Sequence, residues 1–263
     1  RKKAEEKLRT SDKIFTHSIE MLCIAGFDGY FKVLNPAWSR TLGWSTEELL
    51  SKPWNDFVHP DDLKATDDIA SVIIDGKEIY QFENRYLCKD GSYKILSWNS
   101  FPYPEEGIMY GVARDITGYR KTEQEYKKLF EEMLDGFALH EIICDDDGRP
   151  VDYRFLAVNP AYEKMTGLKA ADIVGKTVHE VLPSLEHQWI EKYGEVALTE
   201  QPIHFEGYSN ELKKYYDIKA FCPSKYQFVT IVSDITRRKE AEEELTREKE
   251  RAEEKEKQFR ALF

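Results

Sequence analysis

The chemically capable side chains of this chain are dispersed, and no constellation of them spells out a reaction. Four cysteines, Cys23, Cys88, Cys144 and Cys222, lie far apart with no Cys-x-x-Cys pair. That spacing argues against a zinc site or a disulfide scaffold and suits a reducing, cytoplasmic compartment. The six histidines include no His-Glu-x-x-His, and no phosphate-cradling glycine motif or Gly-x-Ser-x-Gly elbow occurs. A histidine-kinase phosphoacceptor box, kinase nucleotide-binding glycine motifs and a Gly-Gly-Asp-Glu-Phe signature are equally missing. The chain therefore reads as non-enzymatic, with any catalytic part of its parent lying elsewhere. One spacing does recur: Asp115-Ile116-Thr117 and Asp234-Ile235-Thr236. An aspartate two residues before a helix can accept backbone N–H groups at its N-terminus, and the threonine can cap it. Asp115, Thr117, Asp234 and Thr236 are thus candidates for relaying a signal between a sheet and a helix.

These motifs belong to a longer repeat. Leu34-Asn35-Pro36-Ala37-Trp38 recurs as Val158-Asn159-Pro160-Ala161-Tyr162, and Thr41-Leu42-Gly43-Trp44 as Met165-Thr166-Gly167-Leu168. A period near 120 residues is that of a domain repeat, too long for a solenoid. The elements that must position the motifs follow the same order in each copy. Short apolar runs around Asp28-Gly29 and Asp147-Gly148 predict hairpins. Asn35-Pro36 and Asn159-Pro160 predict N-cap and first helical residue, and Gly43 and Gly167 predict helix C-caps. A short helix over 46–50, a longer one from His59-Pro60-Asp61-Asp62 to about residue 75, and strands over 79–88, 93–102 and 108–116 complete the first copy. The predicted class is α+β: two domains, each a five-stranded antiparallel sheet with helices on one face. Alternation places Phe82, Asn84 and Tyr86 on one face of a strand without saying which face is inward.

With 263 residues, 41% apolar and 13% aromatic, the chain has room for two packed domains and is not disordered. Its net charge is −11, yet residues 1–10 sum to +3 and residues 237–263 carry nine basic and nine acidic side chains. The folded body is thus acidic and lacks a basic stripe with interleaved aromatics, so nucleic acid is not an expected partner. No apolar stretch approaches the roughly 20 residues of a membrane span, and no membrane contact is expected.

The ordered set Asn-Pro-Ala, Leu-Gly-Trp, His-Pro-Asp-Asp, Lys-Asp-Gly-Ser and Ala-Arg-Asp-Ile-Thr resembles the PAS sensor domain with its C-terminal PAC segment. The likeness covers nearly the whole chain. The second copy departs from it, reading Leu182-Pro183-Ser184-Leu185 in place of His-Pro-Asp-Asp, so its ligand need not match the first. The resemblance implies a pocket between helices and sheet, lined by Trp54, Phe57, Tyr86 and Trp98 in the first domain. His187, Trp189, Tyr193 and Phe205 are the candidates in the second; the alternative is that these aromatics simply fill cores. It also implies that cysteinyl-flavin photochemistry needs a cysteine before the long helix, and residues 52–57 and 176–181 have none. An axial haem histidine would stand on that helix, where His187 is the single candidate. No cofactor is expected on these grounds; flavin bound without a cysteine or a small organic ligand is the alternative. His59 is expected to cap or orient a loop, and His140 to be an ordinary polar residue.

The resulting division is a linker helix over 1–16, domains over 17–117 and 131–236, a connecting helix over 118–130, and a charged helix over 237–263. Tyr119, Tyr126, Leu129, Phe130 and Met133 stripe the connecting helix, and Leu245, Ala252, Phe259 and Phe263 the last one. With Glu242, Lys249 and Glu256 in the same seam, the expectation is a weak homodimer through these helices. Tyr126-x-x-Leu129-Phe130 recurs as Phe259-x-x-Leu262-Phe263, and Ala4-Glu5-Glu6-Lys7-Leu8 echoes 241–245. That echo places the chain inside a longer protein. The resemblance implies a sensory input module of a signalling protein such as a histidine kinase, with its output domain in the same polypeptide. A ligand-free dimerisation scaffold, or a flavin- or haem-based redox or gas sensor, is the alternative.

Overall fold

The computed structural model describes residues 2–260, leaving aside the side chains of residues 4, 5, 8, 256 and 258–260. The expectations for Ala4, Glu5, Leu8, Glu256, Phe259, Leu262 and Phe263 therefore lie outside the described residues. The chain divides into two units, residues 1–125 and 126–263.

In the first unit, helix α1 (Lys2–His17) precedes a hairpin of β1 (Met21–Gly26) and β2 (Phe31–Leu34). Helices α2 (Ala37–Leu42), α3 (Thr46–Leu50) and α4 (Leu63–Ile74) follow, then strands β3 (Ile79–Leu87), β4 (Tyr93–Tyr103) and β5 (Ile108–Asp115). Helix α5 (Thr117–Glu132) runs on into the second unit. There the order repeats: β6 (Gly136–Cys144), β7 (Pro150–Val158), α6 (Pro160–Thr166), α7 (Ala170–Ile173), α8 (Val178–Val181), α9 (His187–Thr199), β8 (Ile203–Ser209), β9 (Lys214–Phe221), β10 (Gln227–Asp234) and α10 (Thr236–Arg260). Each sheet is antiparallel and five-stranded, in the orders β2-β1-β5-β4-β3 and β7-β6-β10-β9-β8. The expected α+β class and paired sheets are what the chain forms. Gly43 and Gly167 end α2 and α6 in the left-handed conformation, as their positions predict.

The Asn-Pro corners behave differently from a simple helix cap. Asn159 does cap α6, its side chain accepting from the Tyr162 amide at 2.8 Å. Asn35 does not cap α2, which starts one residue later with no side-chain cap. Both asparagines are wholly buried and tie the entering chain to the sheet instead. Asn35 Oδ1 accepts from the Leu22 amide at 3.0 Å, and its Nδ2 donates to the carbonyls of Glu20 at 2.9 Å and Phe15 at 3.1 Å. Asn159 repeats this with the Phe137 amide at 2.9 Å and the Asp135 carbonyl at 3.0 Å. A buried amide so nearly satisfied fixes where the first strand begins.

Helices and sheet enclose one core per unit. Trp38 is wholly buried at the centre of the first, its ring 4.9 Å from Phe31 and 5.6 Å from Trp98. In the second, α9 lies so close to β7 that a Cβ added at Gly194 would come within 2.1 Å of the Pro150 ring. Gly in a helix interior ordinarily costs up to about 1 kcal/mol against Ala; here the clash reverses the sign. Gly194→Ala is expected to destabilise the second unit by roughly 1–3 kcal/mol. Hydrogen exchange in β7 and α9 should rise while β3–β5 stay unchanged; protection gained in α9 would show that the helix can retreat.

Candidate ligand cavities and the helix latch

Each unit holds a small cavity between its long helix and its sheet, of about 40 Å³ in the first and about 60 Å³ in the second. Trp54, Tyr86 and Trp98 line the first, and Trp189 and Tyr193 the second. Phe57 is buried elsewhere in the core, its ring 5.6 Å from Trp44. Phe205 packs 5.6 Å from Trp189 with the Lys192 ammonium over its ring, but does not reach the cavity. His187 is also outside: its side chain is 61% exposed and faces Glu191 at 3.7 Å. The first turn of α9 turns it to solvent, so it cannot serve as the axial ligand its helix position suggests. His59 accepts from the Asp61 amide at 3.2 Å and orients the loop before α4.

Polar lining residues escaped the sequence reading. In the first cavity Trp98 Nε1 donates to Asn84 Oδ1 at 2.8 Å, Asn84 Nδ2 donates to Thr66 Oγ1 at 3.1 Å, and Thr66 Oγ1 donates to the Asp62 carbonyl at 2.8 Å. Phe82, Asn84 and Tyr86 do share a face, and it is the inward one. The second cavity instead has His140, whose ring stacks on Phe228 at 4.5 Å and meets Tyr153 and Phe155 edge-on or tilted at 5.0 Å. Burial lowers its pKa to about 3, with the Phe228 backbone opposing weakly; the ring is neutral at physiological pH. Burial likewise pushes the Tyr216 hydroxyl up to about 12. A lone histidine in an alternating strand gives no sign of which face it takes, which is why His140 passed as ordinary.

Among the described residues no group of histidines, cysteines and carboxylates is arranged to hold a metal ion. A haem does not fit either cavity as formed: His140 is the one imidazole lining either, and the larger of the two has space for only about four water-sized groups. Burial pushes the Cys23 thiol up to about 12, leaving it un-ionised.

At the start of β4 and of β9, just before the residues that line the cavities, lies the latch. In the first unit Asp115 Oδ1 accepts from the Thr117 amide at 2.9 Å, and Lys94 holds Oδ2 at 2.5 Å. Thr117 Oγ1 accepts from the Ile95 amide at 2.9 Å, and the Ile116 amide donates to the Ile95 carbonyl at 2.9 Å. The second unit repeats it: Thr236 amide to Asp234 at 3.0 Å, Lys214 on Asp234 at 3.0 Å, Tyr215 amide to Thr236 Oγ1 at 3.0 Å, and Ile235 amide to the Tyr215 carbonyl at 2.9 Å. The aspartates sit where expected. The threonines do not cap their helices; their hydroxyls accept from β4 and β9, stitching each helix to the strand beside it. Partial burial raises both aspartates, but the threonine and lysine bonds outweigh it and hold them below their usual value.

A second clamp was not read from the sequence. Arg120 grips Glu83 on β3 with two bonds at 2.6 and 3.1 Å, while Arg238 and Lys239 each reach Glu206 on β8 at 2.6 Å. The signal was present as a carboxylate recurring at a repeat offset of 123.

Helices packed on a 2-1-5-4-3 antiparallel sheet, with a small cavity between the two layers and a helix latched to the sheet at its exit, define a two-layer α+β domain that occurs twice in the chain. The chain belongs to the PAS family and carries two PAS domains in tandem: family models described as PAS fold match residues 31–113 and 142–240. It is similar to a domain of a sensory box sensor histidine kinase/response regulator from Geobacter sulfurreducens, 20% identical over 43% of this chain and 96% of that one, TM-score 0.39. It is also similar to the PAS domain of an HTR-like protein from Haloarcula marismortui, 23% identical over 43% and 99%, TM-score 0.36. A curated relative, the uncharacterized protein y4lL of Sinorhizobium fredii, is 26% identical over 151 residues, 54% of this chain. The chain spans 18% of that relative's length.

Asp234→Ala is expected to loosen the start of α10 by about 1 kcal/mol, seen as faster hydrogen exchange in residues 237–245; unchanged exchange would show that the latch does not hold the helix. Lys239 and Arg238 lower Glu206 to about 2 from an ordinary 4.5. A folded-state pKa below the unfolded one means the clamp acts fully above pH 4.5 and fades as pH falls through about 2. The exchange difference between wild type and Glu206→Gln should therefore close over that interval, and a pH-independent difference would contradict it.

Proposed function

We propose that this chain is the cytoplasmic sensory input module of a larger signalling protein, one in which cavity occupancy is read out through the exit helices. One observation carries the reading: a single strand in each unit bears both cavity lining and latch. On β4, Trp98 and Ser100 line the cavity while Lys94 and Ile95 hold α5; on β9, Tyr216 and Ile218 line it while Lys214 and Tyr215 hold α10. A molecule that shifts the strand changes the latch geometry directly, which supplies the two-ended element that coupling requires. The output domain, a histidine kinase or cyclase among the possibilities the family offers, belongs to the rest of the polypeptide. Among the described residues no helix is long and apolar enough to cross a membrane.

The linker helices support self-association. Tyr119, Tyr126 and Leu129 on α5 and Leu245 on α10 stand more than half exposed. Pairing them across a two-fold axis would cover them and set equivalent domains side by side. Light scattering over a concentration series is expected to show a homodimer that Leu245→Glu with Leu129→Glu weakens; a strict monomer leaves the relay without its dimer.

For the input role, freshly purified protein is compared with protein stripped by unfolding and refolding. The expected result is a small molecule in the extract and altered hydrogen exchange in 237–245 after stripping, with no such alteration in Asp234→Ala. An empty extract and identical exchange would favour the ligand-free scaffold, and a visible absorption band a flavin or haem.

A further inference from the structure

The two cavities differ in one respect that the fold does not demand. Among the described residues three buried side-chain atoms lack a hydrogen-bond partner, and two of them, His140 Nδ1 and Tyr216 Oη, belong to residues lining the second cavity. None lines the first.

The strand registers show where these groups come from. Cys23 pairs with Gly111 on β5 and Ala138 with Thr230 on β10, so Ala25 and His140 stand at equivalent positions. Leu96 pairs with Asp115 and Tyr216 with Asp234, which makes Leu96 and Tyr216 equivalent. The first unit thus builds the same sheet with Ala and Leu, both wholly buried, where the second has a histidine and a tyrosine. Neither polar group is needed for the fold, and unpartnered buried groups are retained where something else supplies the partner. The His140 ring stacks on Phe228, whose backbone acts on it electrostatically without meeting hydrogen-bond geometry at Nδ1.

We propose that the second unit is the sensing one, and that its cavity takes a small uncharged molecule bearing a hydrogen-bonding group, such as an amide, an alcohol or a small heteroaromatic. The inference rests on reading the module as sensory. Size follows from about 60 Å³, room for roughly four water-sized groups. Neutrality follows from the lining, which contains no Asp, Glu, Lys or Arg. Burial keeps His140 uncharged as well, so an ionised ligand would enter with no counter-charge. His140 and Tyr216 offer the polar end its bonds, and Tyr153, Trp189, Tyr193 and Ile218 receive the apolar body. The first unit, with Asn84, Thr66 and Trp98 satisfying one another, is assigned a structural role.

The test uses two probes of equal size that match the cavity, acetamide and acetate, titrated at neutral pH into the stripped full chain and followed by backbone NMR shifts. The expected result is saturable shifts from acetamide in β6, β9 and β10 and none in β3–β5, with acetate at least tenfold weaker. Tyr216→Phe, which removes one oxygen, should weaken acetamide roughly tenfold, and His140→Phe should weaken it while raising the thermal midpoint of the free protein. Equal binding of both probes, equal response of both units, or no saturable shift up to the solubility limit would overturn the assignment. The last result would leave ordered water alone as the partner of both groups. Binding without a change in α10 exchange would keep the ligand class and overturn the relay instead.

Discussion

The hydrogen bond from a strand amide to the threonine hydroxyl of Asp-Ile-Thr is the contact on which the architecture turns, Ile95 to Thr117 and Tyr215 to Thr236. A helix leaving the end of a central strand, as α5 and α10 do, has unpaired amides at its start and no core of its own. The aspartate satisfies the threonine amide, the threonine hydroxyl satisfies the strand amide, and the lysine on the same strand neutralises the aspartate. Because the threonine hydroxyl stands one rotatable bond from the helix backbone and the isoleucine amide before it bonds the same strand residue's carbonyl, the helix cannot change direction without disturbing β4 or β9. The glutamate clamps on β3 and β8 fix the next turn, but they are exposed ion pairs and weaken with salt. The latch, more than the clamps, sets the geometry of exit.

The repeat kept this latch in both copies and let the interior diverge. Phe82 and Phe205 occupy the same register, as do Trp98 and Ile218. Two residues further along, Asn84 gives way to Gly207, where an added Cβ would meet the Trp189 ring at 2.7 Å. The second unit has therefore exchanged a strand tryptophan hydrogen-bonded to an asparagine for a helix tryptophan lying over a glycine. That exchange removes the polar network of the first cavity and leaves room beside His140 and Tyr216. One sheet and one exit device thus carry two interiors of different chemistry.

Much of this was legible in the sequence because it is local. Hairpin glycines, left-handed helix ends at Gly43 and Gly167, and the Asp-Ile-Thr spacing each follow from the backbone conformation their residues prefer. The fold class followed from their order. What was not legible depends on partners far along the chain. Asn35 reads as a cap beside proline, yet its side chain is claimed by Leu22, Glu20 and Phe15. Phe57, Phe205 and His187 occupy plausible pocket positions by spacing, but helix rotation and strand pairing turn them into the core, beside the cavity, or out to solvent. His140 was invisible because period-two alternation identifies two faces without naming the buried one.

If cavity and exit helix are coupled through one strand, a double-mutant cycle across β9 and the latch will register it. Tyr216→Phe alters the cavity lining on β9, Thr236→Val removes the hydroxyl at the latch, and the readout is the opening free energy of the first amides of α10 by hydrogen exchange. Coupling through the strand gives an interaction energy above about 0.5 kcal/mol between the two substitutions, as residues of one network show. Effects that add to within about 0.3 kcal/mol would mean that cavity and latch are independent features of the same sheet.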